Sequence, residues 1–182
     1  MDNGELCYRR FIEGDEEAFD EIMREYFDGL IFFINRYVAD IYAAEDIAID
    51  VFAYVAANRK AYNFKVSLKT YLFMIGRSRA LNYIKRRKRL AITALEDAES
   101  LITEQSAVEG SVLADEKKRQ VNKALSQLPD AMRLAVHLVY FEELSYDEAA
   151  RVMKKNKKQI DNLLYRAKSL LRSELEKEYD LI

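Results

Sequence analysis

An all-α architecture, two small helical domains joined by an acidic linker, follows from three observations on this chain of 182 residues. Apolar residues recur every three to four positions along nearly its whole length, the spacing of one helix face. Five Gly and one Pro are too few for a loop-rich β fold or a disordered chain, and the hydrophobic half of the residues is ample for packed cores. Charge is sorted into blocks: eleven bases and no acid from Arg59 to Leu90, seven acids and no base from Ala91 to Glu116, and a second basic block from Arg151 to Arg172 opposed only by Asp161.

The helices follow in order. Phe19, Ile22, Met23 and Tyr26 mark a first segment, and Leu30, Phe33, Ile34, Tyr37, Val38 and Ile41 a second. Ile47, Val51, Phe52 and Val55 place a third near Ala43 to Asn58. A polar connection, Asn63-Phe64-Lys65-Val66, precedes a fourth that begins near Ser67 and ends in the basic cluster at Arg89. These four helices make a first domain over residues 1–90. The acidic stretch 91–116 has no clean period and reads as a linker, partly extended and locally helical. The second domain, 117–182, is a four-helix unit. Val121, Ala124, Leu125 and Leu128 give a helix that stops at Pro129, and a second covers Asp130 to Phe141. Ser145-Tyr-Asp-Glu148 is a capping box opening a third, and Asn156-Lys-Lys-Gln159 repeats the logic for a fourth.

Composition narrows the chemistry. One Cys and one His, Cys7 and His137, cannot make a disulfide framework or a zinc site, and both are read as packing residues. There is no paired acid and base, no partnered nucleophile and no glycine-rich phosphate loop, so neither enzymatic activity nor a cofactor or metal is expected. No apolar run approaches the roughly 20 residues that span a bilayer, so a cytoplasmic protein without membrane insertion is expected.

The formal net charge of -2 conceals two positive surfaces, which suggests two contacts with a polyanion on a protein otherwise acidic enough to resist indiscriminate sticking. In the second domain, a short helix from Ser145, a turn at Lys154 to Asn156 and a long helix from Lys157 have helix-turn-helix proportions. Ile160, Leu163, Leu164, Ala167 and Leu171 cluster on one side of the last helix, leaving Lys158, Asn162, Tyr165, Ser169 and Arg172 to face bases and phosphates. In the first domain the basic block is interleaved with Tyr62, Phe64, Tyr71, Phe73 and Tyr83, a mixture that suits a melted strand, cations tracking phosphates and rings receiving unstacked bases. Phe73 is the ring expected in the core and Phe64 the least core-like. Glu45, Asp46 and Asp50 lie on the third helix, with Asp46 and Asp50 one turn apart. They suit either a helix N-terminus or a basic partner helix.

Taken together, these segments resemble the extracytoplasmic-function sigma factors, the small two-domain sigma subunits of bacterial RNA polymerase. The resemblance rests on Ala44-Glu-Asp-Ile-Ala-Ile-Asp-Val-Phe52, on Ser67-Leu-Lys-Thr-Tyr-Leu-Phe-Met-Ile75 with Leu81-Asn-Tyr-Ile-Lys-Arg-Arg-Lys88, and on Leu125-Ser-Gln-Leu-Pro129, Leu144-Ser-Tyr-Asp-Glu-Ala-Ala150 and Tyr165-Arg-Ala-Lys168. It implies that Asp46, Ile49 and Asp50 face the polymerase clamp. It implies minus-ten contacts by Asn63, Phe64, Lys65, Lys69, Tyr71, Arg77, Arg79, Asn82 and Lys85, with Phe64 at the pocket for a flipped base. Lys158, Gln159, Asp161, Asn162 and Tyr165 would read the minus-thirty-five element, with Arg166 on phosphate. Core RNA polymerase, promoter DNA both duplex and melted, and an anti-sigma factor are the implied partners, and the linker would thread the polymerase's RNA path. Ile49 stands where the family usually has glutamine, Tyr71 where it has tryptophan, Ser78 where it has asparagine, and Leu163 where arginine is frequent. The rival readings are a conventional helix-turn-helix regulator and a protein-interaction adaptor.

Overall fold

The computed structural model describes residues 3–97, 121 and 123–179, all helices, turns and connections. The chain divides into two units between Ala107 and Val108, inside the stretch expected to be the linker.

The first unit holds α1 (Asn3–Ile12), α2 (Glu16–Val38), α3 (Ile41–Ala57) and α4 (Leu68–Asp97). The first two expected segments are one continuous helix, α2, because the apolar stripe runs on through Tyr26 and Leu30 without a break and Gly29 is tolerated within it. Its start is fixed by Asp15, whose side chain accepts from the Ala18 amide. Its end comes at Ala39, left-handed at φ 52°, and Asp40 then caps α3 by accepting from the Tyr42 and Ala43 amides. Ile41 therefore opens α3 instead of closing the helix before it. α1 was not expected; Cys7, Tyr8 and Phe11 form its buried side. Ser67 caps α4, its Oγ accepting a hydrogen bond from the Thr70 amide at 3.3 Å. α4 continues to Asp97, past the expected end at Arg89. The part of the expected linker beyond Asp97 lies outside the described residues.

The core of this unit lies between α2, α3 and α4. Leu30, Phe33 and Ile34 of α2 and Leu72 and Phe73 of α4 are fully buried, and Phe33 and Phe73 meet at 4.9 Å between ring centroids. Gly76 is what lets α4 approach α2, since a Cβ there would stand 2.8 Å from Leu30 Cδ1. The side of α3 turned away from this core leaves Tyr42, Glu45, Asp46, Ile49 and Asp50 exposed.

In the second unit residues 123–126 are helical and stop before Pro129, as expected. α5 (Asp130–Val136) runs into a π-helical segment, His137–Phe141, where a regular helix was expected; α6 (Tyr146–Met153) and α7 (Lys157–Tyr179) follow. Leu138, Ile160, Leu164 and Ala167 are buried together with Ala149 and Val152 of α6. Cys7 is buried and donates to Glu21 at 3.3 Å, while His137 stacks on Phe141 and lies 3.4 Å from Glu142.

Candidate nucleic-acid interfaces

The helix-turn-helix of the second unit is built from interlocking caps. Ser145 Oγ accepts from the Glu148 amide at 3.3 Å, while Glu148 Oε2 accepts from the Ser145 amide at 3.0 Å. α6 closes at Lys154, which is left-handed at φ 53°. The Lys154 amide bonds the Arg151 carbonyl and the Lys155 amide the Ala150 carbonyl. This is a Schellman ending with lysine in the place glycine usually takes. Two residues later Asn156 Oδ1 accepts from the Gln159 amide at 2.8 Å and Gln159 Oε1 from the Asn156 amide at 2.9 Å, opening α7. Lys157 reaches back to Asp147 at 2.9 Å and ties α7 to α6.

α7 then presents its two faces as the sequence predicts. Ile160, Leu164 and Ala167 are buried, whereas Lys158, Asp161, Asn162 and Arg166 are exposed and Tyr165 is 76% exposed. Gln159 is exposed too, but its carbonyl oxygen is committed to the cap, so its amide nitrogen is the end left for a base edge. Asp161 is the acid among these cations and accepts hydrogen bonds only, which matches the cytosine amino group in the major groove.

Three rings of the first unit's aromatic and basic block, Tyr62, Phe64 and Tyr71, gather at the connection between α3 and α4. Tyr62 is buried and donates to the Val66 carbonyl at 2.6 Å, and Asn63 Oδ1 accepts from the Lys65 amide at 3.2 Å. Between them Phe64 has φ 60°, a left-handed conformation that a bulky side chain adopts only under constraint. Phe64 is half-buried instead of unpacked: it lies 4.6 Å from the Tyr62 ring and meets Tyr8 edge-on at 6.1 Å, and the Arg9 guanidinium sits 4.2 Å over its face. Tyr71 stands 5.0 Å from Tyr62. Burial pushes the Tyr8 phenol up to about 12, so it stays a neutral donor to the Arg59 carbonyl at 3.0 Å. Sequence reasoning missed Tyr8 and Arg9 because α1 was missed; its signal was the short Cys7, Tyr8, Phe11 spacing just ahead of the Asp15 cap.

The remaining expected contacts diverge around α4. Asn63, Lys65, Asn82 and Lys85 are exposed, and Lys69 is half-buried. Arg77 turns to α2, where it bonds the Tyr37 hydroxyl, whose pKa burial raises and Arg77 partly lowers. Arg79 turns to α3, with its guanidinium 3.6 Å from Asp50 and 5.4 Å from the Tyr54 ring centroid. An expected DNA contact and an expected polymerase contact thus touch each other. Ile49, 50% exposed beside Asp46 and Asp50, makes that face of α3 part apolar.

Comparisons with known proteins align with this division. The Sigma-70 region 2 model matches residues 22–90, and the Sigma-70 region 4 model matches residues 118–171. The RNA polymerase sigma-H factor of Pseudomonas aeruginosa is 31% identical over 173 residues, covering 89% of this chain and 88% of the relative. The ECF RNA polymerase sigma factor SigM of Bacillus subtilis is 27% identical over 154 residues, covering 85% and 93%. The chain belongs to the extracytoplasmic-function sigma factors. The fold of this sigma factor is shared with that of RpoE from Bartonella quintana, solved with the anti-sigma factor NepR, at a TM-score of 0.69 and 22% identity over 88% of this chain and 98% of that one. CnrH, solved with the cytosolic domain of CnrY, gives 0.64 at 16% identity over 97% and 99%. α1 of the sigma factor lies ahead of the region 2 match, so Tyr8 and Arg9 come from outside it. Among its described residues no helix is long and apolar enough to cross a membrane.

Proposed function

We propose that this sigma factor binds core RNA polymerase through the exposed face of α3, directs it to a two-part promoter and helps to hold the opened strand, without catalysing a reaction itself. α7 reads the upstream element through Lys158, Gln159, Asp161, Asn162 and Tyr165, with Arg166 on phosphate. The connection carrying Asn63, Phe64 and Lys65, with Lys69, Tyr71, Arg77, Arg79, Asn82 and Lys85, meets the minus-ten element. The protein works in the cytoplasm, and an anti-sigma factor holds it inactive; RpoE of Bartonella quintana is solved in complex with the anti-sigma factor NepR. The observation that carries the reading is the pairing of a capped helix-turn-helix whose outer face is polar and cationic with a separate unit in which Tyr8, Arg9 and Tyr62 pack against a left-handed phenylalanine. A conventional regulator needs only the first of these. Run-off transcription with core polymerase over a promoter library tests the reading, and the absence of any selected start site with folded protein would count against it.

Two expected outcomes separate the interfaces. Asp46→Lys with Asp50→Lys should weaken holoenzyme formation severalfold or more without unfolding the protein, because both carboxylates are exposed and the Asp50–Arg79 contact is a surface pair worth no more than about 1 kcal/mol. Titration of labelled core polymerase measures it, and unchanged affinity removes both residues from the interface. Asn162→Ala or Tyr165→Ala should cost about 1–3 kcal/mol of discrimination at the upstream element. Arg166→Ala should weaken binding nearly uniformly across sequences and flatten its salt dependence. Competition between promoter variants at two salt concentrations distinguishes them, and exchanged phenotypes would overturn the assignment.

A further inference from the structure

We propose that Arg9 is a strand-contacting residue of the opened promoter: the guanidinium that covers Phe64 in the free protein gives way to an entering base and moves onto the backbone of the melted strand. The proposal rests on the reading of Phe64 as a base-stacking residue. The half-buried Phe64 ring carries Arg9 4.2 Å over one face, with Tyr62 4.6 Å away and Tyr8 meeting it edge-on. A base that stacks on the face under the guanidinium must displace it. Tyr62 is buried and held by its bond to Val66, and Tyr8 is fully buried and bonded to the Arg59 carbonyl. Arg9 is exposed, so its side chain is the neighbour that can leave.

Magnitudes favour the exchange. An exposed cation–π contact corresponds to about two- to fivefold in an equilibrium constant, and stacking a base on an aromatic ring to about five- to 150-fold. The base displaces the guanidinium, and the charge does not go far. The backbone of α1 is fixed by buried Tyr8 and Phe11 and by Arg10, which bonds Asp15 at 2.7 Å and Glu21 at 3.1 Å. Arg9 thus swings about a stationary anchor next to Phe64, adding a cation where the phosphates flanking the captured base must pass.

The test uses holoenzyme and, as probe, a fluorescent single-stranded oligonucleotide carrying the non-template strand of a promoter recovered by run-off selection. Its dissociation constant is measured across a salt series for wild type, Arg9→Ala, Arg9→Gln, Arg9→Lys and Phe64→Ala, each checked for an unchanged unfolding midpoint. Arg9→Gln stands in if the alanine variant is unstable. Loss of the guanidinium should weaken binding about three- to tenfold at low salt and reduce the slope of log affinity against log salt by about 0.7, and Arg9→Lys should restore that slope. If Phe64→Ala weakens binding while Arg9→Ala and Arg9→Gln leave affinity and slope unchanged, or tighten binding, Arg9 is only a cover and the proposal falls while the reading of Phe64 stands. Weakening without any change in slope also overturns it, because that is what a packing role gives. If Phe64→Ala has no effect, the reading of Phe64 falls and the proposal with it.

Discussion

Phe73→Ala should lower the stability of the first unit by about 3–5 kcal/mol, the range for truncating a buried phenylalanine. The ring is fully buried on α4 against Phe33 of α2, 4.9 Å away, and the Gly76 contact one turn on leaves little slack for the helices to close the void. Domains commonly carry only about 5–15 kcal/mol in total, so most of this unit's margin would go. Native-state hydrogen exchange should show amides of α2, α3 and α4 opening faster while those of α6 and α7 keep their protection. Holoenzyme formation should fall in parallel, since α3 is held by the same core. A loss below about 1 kcal/mol, or equal losses in both units, would contradict this packing account.

Phe64→Ala should leave holoenzyme formation intact and impair promoter opening. Stacking on the ring is worth about 1–3 kcal/mol, similar to the cost of drawing a base out of the duplex. Run-off transcription from a duplex template should drop by up to about a hundredfold at the upper end of that range, and a pre-melted bubble should recover much of it. Phe64→Gly sharpens the experiment. It suits φ 60° and relieves the strain of a bulky left-handed residue, so it should open promoters as poorly as alanine while folding more stably. No rescue by the bubble in a folded, polymerase-bound variant would remove Phe64 from strand opening.

What was legible in the sequence was what neighbours in the chain decide. The caps at Ser145 and Asn156 are closed by side chains three residues on, and α7's buried and exposed sides follow from its own period. Phe73 was the ring of the basic block expected in the core, and it is there. What was illegible depends on distant partners. α1 is short, and its Tyr8 acquires a meaning only when the connection 50 residues later folds over it, with the hydroxyl on the Arg59 carbonyl. For the same reason Phe64 looked unpacked: none of its local neighbours announces Tyr8 or Arg9. The break at Ala39 was hidden by an apolar spacing that continued through Ile41. The Asp40 cap was the available sign. The meeting of Asp50 and Arg79 could not be read at all, since spacing along one helix does not say which face of another it will find.

The dependence of the α3–α4 connection on α1 bears on how such a protein can be re-engineered. A designer wishing to transplant its minus-ten preference into a sister factor would naturally cut out residues 58–67 as a cassette. That graft would carry Tyr62 and Phe64 but leave behind Tyr8, Arg9 and Phe11, the last lying 4.2 Å beneath the Arg59 guanidinium. The transplanted segment would arrive without the wall it leans on, and its left-handed phenylalanine would relax. The portable unit is discontinuous: the connection together with the first helix, moved as a pair.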